Sequence, residues 1–536
     1  MSEHVNAAYH LVDRHVDSGD GGRTAVRSQG TSTSYAELQE LSQAFAGGLR
    51  GLSVRRGDRV VFVCSDRLEL AVGILGALRY GAVAVPLSTM LTGPELAKIV
   101  QDSGARVLVV TPEFGPAVTV AVAAATELEH VVVVDEAQVQ VPPHLAVTPW
   151  SALLAAGGAL GEPVAPIAAD FPALWLYTSG TTGTPKGAMH RHANLQAVCD
   201  TYARDVLQVT PQDVFFSVAK MFFAYGIGNS LLFPLSIGAT SVLSSQRPSP
   251  QLVLSRLRED TPTLFFAGPT FYAALLAADL PDDTFRSVRL CASAGEALPA
   301  SLYRRFTERF GVDVLDGIGS TEALHIFLSN RQGAVRAGTS GNVVPGYELQ
   351  VRDEAGQLVP DGEPGALFVR GASMATGYWC RTDASREVFQ GEWVRTGDTY
   401  VRSPDGYYTC LGRANDLLKA GGIWVSPAEV EERLLQHPDV AEAAVVGVAD
   451  SNELDKPVAF VVARPGAQLD GDQLVGWCRE GLAAFKRPRA VVVVAELPKT
   501  ATGKVQRFRL REQAGSDLLD APPGPSVASE TPVASL

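Results

Sequence analysis

The stretch ALWLYTSGTTGTPKGAMHRHANL, residues 173–195, decides how this chain is read. Its first five residues form a continuous apolar run, the pattern of a strand covered on both faces. The run feeds a loop of Thr178, Ser179, Gly180, Thr181, Thr182, Gly183, Thr184, Pro185, Lys186 and Gly187. Glycines let backbone N–H groups turn toward an anion, and hydroxyls and an ammonium add donors. Such a loop after a buried strand is what triphosphate binding requires. Lys186 is followed by Gly187 rather than by Ser or Thr, so the loop is not a Walker A motif.

Outward from this loop, short β-branched runs recur: VVFVC at 60–64, VLVV at 107–110, VVVVD at 131–135, SVL at 241–243, TLFF at 263–266 and VRLC at 288–291. Helical patterns separate them. Leu38, Leu41, Phe45, Leu49 and Leu52 share one helix face, and Ser34 with Glu37 reads as the capping box of that helix. Strand–helix alternation over some 400 residues predicts a large α/β body with parallel sheets. Past 411–416 the texture changes. Ser426, Pro427 and Glu429 open a helix, and short strands (AAVVGV, AFVV, VVVV) follow, enough for a small α+β domain. The expected division is 1–414, 415–515 and a Pro/Ser/Ala-rich tail, 516–536, predicted to be disordered.

Composition excludes other classes. With 536 residues, 46% hydrophobic and 19% charged, the chain can bury a large core. A net charge of −13 and no basic block argue against nucleic-acid binding. The opening MSEHVNAAYHLVDRHVDSGD is polar and lacks an apolar signal core. No run of about 18 apolar residues predicts a membrane span. Six scattered cysteines without CxxC spacing fit neither a zinc site nor a disulfide framework, so a reducing cytoplasm is expected. Positive charge is written as 37 arginines against eight lysines, so the positions of the lysines carry information.

Five further motifs follow the loop in order: SAGEALP (293–299), DGIGSTEALHIF (316–327), WVRTGD (393–398), GRANDLLKAGG (412–422) and PKTATGK (498–504). Together they resemble the adenylate-forming superfamily of acyl-CoA synthetases, luciferases and peptide-synthetase adenylation domains. The resemblance spans nearly the whole chain except the tail. It implies a large N-terminal adenylation domain carrying parallel-sheet subdomains and a small mobile C-terminal domain. It also implies ATP and CoA as substrates and Mg²⁺ as cofactor.

The resemblance assigns roles residue by residue. Thr178 to Gly183 and Lys186 would hold phosphates. Glu322, with Thr321 before it, would be the Mg²⁺ ligand. Gly295, Glu296 and Ala297 would form the adenine wall. Asp398 would accept hydrogen bonds from the ribose hydroxyls, and Arg413 would contact ribose or phosphate. Lys504 would bridge the substrate carboxylate and the α-phosphate, a point-charge task that suits an ammonium. Asn415 stands where the family's hinge usually has Asp or Lys. Lys419, Gly421 and Gly422 would line the CoA pantetheine tunnel after domain rotation.

The segment KMFFAYGIG (220–228) with STEALHIF resembles the benzoate-CoA ligase branch in particular. Ala224, Tyr225, Gly226, Gly319, His325 and Ile326 would then form an apolar slot for an aromatic ring, with Tyr225 and His325 placed to touch ring substituents or the carboxylate. Lys220 remains unassigned. The expected activity is an aryl-acid:CoA ligation by way of an aryl-AMP intermediate. Benzoate is the first choice and a hydroxy- or aminobenzoate the second. Loading of a separate carrier protein is the alternative acceptor. No nucleic-acid or membrane partner is expected, and a homodimer is compatible with this reading.

Overall fold

A computed structural model describes residues 5–123, 125–179, 185–413, 418–420, 423–425, 427–449, 455–482, 486–499 and 505–514. The predicted 414/415 boundary and the 516–536 tail lie outside them. The chain forms two compact units, Met1–Thr396 with Arg402–Thr409, and Gly397–Val401 with Cys410–Leu536.

The larger unit is built on two wide, mostly parallel sheets. In one, the strands run in the order Ala146–Pro149, His130–Val133, Val107–Val110, Arg59–Val63, Val83–Pro86, Pro172–Ser179 and Pro185–Arg191. All pairs are parallel except the last, which is antiparallel. Val107–Val110 and Val83–Pro86 are buried along their whole length, as expected for strands covered on both faces. The other sheet has the order Asn342–Val343, Ile326–Ser329, Val314–Gly319, Leu290–Ser293, Leu264–Ala267, Val214–Ser217, Thr240–Leu243, Thr24–Ser28 and Thr31–Ser34. Its two ends are antiparallel. A third sheet pairs Tyr347–Arg352 with Pro364–Gly371.

The predicted helix forms over Tyr35–Gly51 with the predicted capping box: Ser34 Oγ accepts the Glu37 N–H at 3.2 Å, and the Glu37 carboxylate accepts the Ser34 N–H at 2.7 Å. The apolar runs assigned as strands at 60–64, 107–110 and 241–243 fall on observed strands.

The smaller unit contains a three-stranded sheet, Val440–Ala449, Asp455–Ala463 and Ala490–Val493, with helices Pro427–Leu435, Gly471–Gly481 and Arg507–Gln513. Val430, Leu434, Leu474 and Cys478 pack on one face of this sheet; Leu497 and Leu510 belong to a second cluster with Val446 and Phe460. Pro427 occupies the first helical position, as its fixed φ favours. No helix among the described residues is long and apolar enough to cross a membrane.

His192 opens the helix His192–Val198 and ties down the N-terminal segment: its Nδ1 accepts the Ala7 N–H at 3.0 Å. The ring proton therefore sits on Nε2. Burial pushes the imidazole down to about 3, so it folds neutral. An unfolded His binds a proton below about 6.5, whereas this one stays neutral until about 3. Its burial therefore lowers stability as pH falls through 6.5. We predict that His192→Asn, which keeps an acceptor for Ala7, gains about 2 kcal/mol relative to wild type on going from pH 7 to pH 5. Urea unfolding at both pH values measures the difference; equal slopes would contradict it.

Candidate active site

The described part of the stretch predicted to bind phosphate folds as a hairpin stem. Pro172–Ser179 pairs antiparallel with Pro185–Arg191, placing Thr178 opposite Lys186 and Ser179 opposite Pro185. Gly180, Thr181, Thr182 and Gly183 lie outside the described residues. The stem is anchored from below. Tyr177 donates its hydroxyl to Asp102 Oδ2 at 2.8 Å, and Arg381 donates to the other carboxylate oxygen of Asp102 at 2.5 Å.

Pro185–Arg191 is also held on its far edge by residues 375–379. Thr376 N–H donates to Met189 O (2.9 Å), Met189 N–H to Gly377 O (3.0 Å) and Trp379 N–H to Gly187 O (2.9 Å). This places the Tyr378 ring beside the stem, with the Lys186 ammonium 5.5 Å from its centroid.

Thr321 and Glu322 lie in the turn between the antiparallel strands Val314–Gly319 and Ile326–Ser329. The Ala323 N–H donates to Ser320 Oγ at 3.1 Å, and Leu324 takes a left-handed φ of 67°. That conformation is uncommon for a branched residue and reverses the chain sharply. Glu322 stays partly exposed before the reversal, while His325 and Ile326, after it, are each 1% exposed.

Three bonds fix the turn. The Ala375 N–H donates to Glu322 O (2.7 Å), the Tyr378 hydroxyl donates to Glu322 Oε1 (2.6 Å), and His190 Nε2 meets Thr321 O at 2.8 Å. Asn194 Nδ2 lies 3.1 Å from His190 Nδ1 and can only donate, so the ring proton is on Nε2 and points at Thr321. Burial pushes His190 down to about 4. It is a neutral strut rather than a metal ligand.

The residues predicted to line an acid slot pack together after this turn. Ala224, Tyr225 and Gly226 lie in the helical turn Ala224–Ile227. The His325 ring lies among three others, with centroids 4.4 Å from Phe233, 5.2 Å from Tyr202 and 5.5 Å from Tyr225. Two glycines permit this packing. A Cβ on Gly228 would meet His325 Cδ2 at 2.3 Å, and one on Gly319 would meet the His325 carbonyl at 2.4 Å.

Two expectations are refined here. Burial pushes His325 down to about 3, so it offers no positive charge to a carboxylate. The Tyr225 hydroxyl donates to Ala292 O at 2.9 Å, so Tyr225 presents a ring rather than a free hydroxyl. Phe222 is core, and Phe223 is half-buried against it at 4.4 Å.

Lys220, left unassigned by sequence, donates to Ser244 O (2.7 Å) and Gln246 O (3.2 Å). Beside it, buried Asp66 accepts the Met221 N–H with both oxygens at 3.2 Å, and burial raises its carboxyl to about 6. This pins the start of the acid-slot segment.

Gly295, Glu296 and Ala297 follow the strand Leu290–Ser293. Gly295 takes a φ of +99°, and Glu296 Oε2 accepts from Thr270 Oγ1 at 3.3 Å. Asp398 is 9% exposed, in the Gly397–Val401 stretch that belongs to the smaller unit. Arg413 ends the strand Tyr408–Arg413, and Lys419 pairs with Trp424 in a two-stranded ribbon. Asn415, Gly421, Gly422 and Lys504 lie outside the described residues. Lys499 and Val505, on either side of residues 500–504, are bridged, and Lys499 Nζ pairs with Glu442 at 2.6 Å. Lys486 pairs with Glu429 at 2.5 Å.

Sequence reasoning missed Tyr378 and His190 as members of the site. Tyr378 sits in a stretch, ATGYW, with no periodicity or charge to mark it. The resident cation implied by the fold was tested against Glu322. No group of three or more His, Cys, Asp or Glu suited to a metal occurs among the described residues. A lone, oriented carboxylate fits Mg²⁺, which keeps waters and takes phosphate oxygens as its remaining ligands.

Gly228 supplies a prediction. Gly228→Ala must displace the His325 ring and narrow the slot. It should raise KM for an aryl acid about tenfold, equivalent to about 1.4 kcal/mol, while leaving KM for ATP unchanged. Parallel steady-state titrations of acid and ATP check this.

Comparison with known proteins identifies the family. Residues 13–379 match the family of AMP-binding enzymes, and residues 429–504 match the AMP-binding enzyme C-terminal domain. The chain is 44% identical over 517 residues to benzoate–CoA ligase of Thauera aromatica, covering 95% of this chain and 96% of that one. It is 42% identical to 4-hydroxybenzoate–CoA/benzoate–CoA ligase of Rhodopseudomonas palustris, covering 95% and 94%. Among solved structures, a benzoate CoA ligase from Burkholderia xenovorans LB400 superposes with a TM-score of 0.85 at 43% identity, covering 94% of this chain and 99% of that one. With family matches over both of its parts and full-length relatives at 42% to 44% identity, the chain belongs to the AMP-binding enzyme family, in its benzoate-CoA ligase branch.

Proposed function

We propose that the chain is an ATP-dependent, AMP-forming aryl-acid:CoA ligase acting on benzoate. The observation that carries the aryl assignment is the enclosure of neutral His325 by Tyr202, Tyr225 and Phe233, on the same turn that presents Glu322. Rings around a neutral imidazole would suit the flat hydrocarbon face of an aryl acid.

In the first half-reaction a carboxylate oxygen attacks the α-phosphorus of ATP, and the bond to the β-phosphate oxygen breaks, releasing pyrophosphate. Both reactants are anions, so the site must position and neutralise them. Lys186 and the donors of the 178–183 loop would hold the phosphates, and Lys504 would bridge carboxylate and α-phosphate. Mg²⁺, when held by Glu322, supplies neutralisation of phosphate charge. In the second half-reaction the CoA sulfur attacks the acyl carbon, its proton leaves to solvent, and AMP departs. Asn415 is proposed as the hinge between the two states, with Lys419, Gly421 and Gly422 along the thiol's path. Asp398 and Arg413 would hold the ribose, and Gly295 to Ala297 the adenine. All six cysteines are free thiols, which supports a cytoplasmic location.

A second reading, a hydroxy- or aminobenzoate as substrate, is favoured by Asn229. Its amide is fully buried one helical turn beyond Tyr225, with which its side chain interacts. A polar ring substituent beside Tyr225 would come within reach of this amide.

AMP release with CoA, measured across benzoate, hydroxybenzoates, aminobenzoates and aliphatic acids, separates these readings. Benzoate should lead; if aliphatic acids exceed every aryl acid, the slot assignment fails. Replacing CoA with a phosphopantetheinylated carrier tests the acceptor. Lys504→Ala should abolish ATP–pyrophosphate exchange yet largely spare thioester formation from supplied aryl-AMP. Equal loss of both half-reactions would refute the role given to Lys504.

A further inference from the structure

We propose that Tyr378 is a positioning residue of the adenylation centre, its hydroxyl orienting the Glu322 carboxylate and its ring face seating the Lys186 ammonium. This rests on the reading of Glu322 as the metal-binding carboxylate. The Tyr378 hydroxyl donates to Glu322 Oε1 at 2.6 Å, a short bond to a charged acceptor. Oε2 would then be the oxygen available to a cation. The Lys186 ammonium lies 5.5 Å from the ring centroid, within the range of cation–π attraction. One side chain thus touches both the phosphate lysine and the metal carboxylate, residues 136 positions apart in the chain.

Tyr378 is itself held on several sides. It is 7% exposed, its backbone bridges Ala188 in the stem, and its N–H donates to Ser385 Oγ at 2.9 Å. The residues around it bond the same two partners. Ala375 holds the Glu322 carbonyl, and Trp379 holds the Gly187 carbonyl next to Lys186. The distance between phosphate lysine and metal carboxylate is therefore set by the 375–379 segment, with Tyr378 as the only one of its side chains to reach both, among the described contacts.

The two functions of Tyr378 separate by substitution. Tyr378→Phe removes the hydroxyl and keeps the ring; Tyr378→Leu removes both. The measurement is calorimetric binding of α,β-methylene-ATP, in excess Mg²⁺ and in EDTA. In Y378F the tightening of binding by Mg²⁺ should fall about tenfold, the scale of a hydrogen bond to a charged group, while binding in EDTA changes less than about twofold. In Y378L binding in EDTA should weaken as well, because Lys186 loses its seat. KM for benzoate should be unchanged in Y378F. A packing role alone would not split the metal-dependent from the metal-independent component.

Glu322→Gln is the control. If E322Q loses the Mg²⁺-dependent tightening and Y378F keeps it at the wild-type value, the role given to Tyr378 is wrong and the metal assignment stands. If E322Q keeps it, the metal assignment itself fails and the proposal with it.

Discussion

Everything at this site depends on one strand, Pro185–Arg191, being hydrogen-bonded along both edges. On one side it completes the hairpin with Pro172–Ser179; on the other it receives residues 375–379. A group that is to bind an anion is useful only if it is held before the anion arrives. The two-sided strand holds Lys186 at a fixed register, and Asp102 reinforces the hairpin by accepting from both Tyr177 and Arg381. The same bonds carry Tyr378 to Glu322, so Lys186 and Glu322 are positioned as one unit.

Charge is sorted within a short distance. On the outer side of the 320–325 turn stand Glu322 and Lys186. On the inner side, His325 is neutral, and Asp316, at the start of the same motif, is buried with its carboxyl raised well above the ordinary range. Desolvation penalises every charged form there. The left-handed Leu324 separates the two environments within three residues.

Much of this was legible in the sequence because the signals are local. The continuous β-branched runs, the Ser34–Glu37 capping box and Pro427 at a helix start all depend on neighbours within a turn or two, and each appears where expected. The lysine skew was informative in part. Lys186 stands at the stem, and Lys220 fastens the segment leading to the acid slot through Ser244 and Gln246. Lys486 and Lys499, by contrast, are engaged in ion pairs with Glu429 and Glu442.

By itself the sequence determined the chemistry available: a Gly/Thr-rich loop dense in donors, a lone carboxylate in GSTE, an aromatic-rich segment and a small second unit, because residue type and short spacing specify donors, acceptors and periodicity. Only the tertiary structure decided how those groups are used. It made His325 and His190 neutral by burying them, committed the Tyr225 hydroxyl to Ala292, and brought Tyr378 to Glu322 and Lys186. Burial and contacts between residues 56 to 192 positions apart arise from packing of whole elements, which no local pattern encodes.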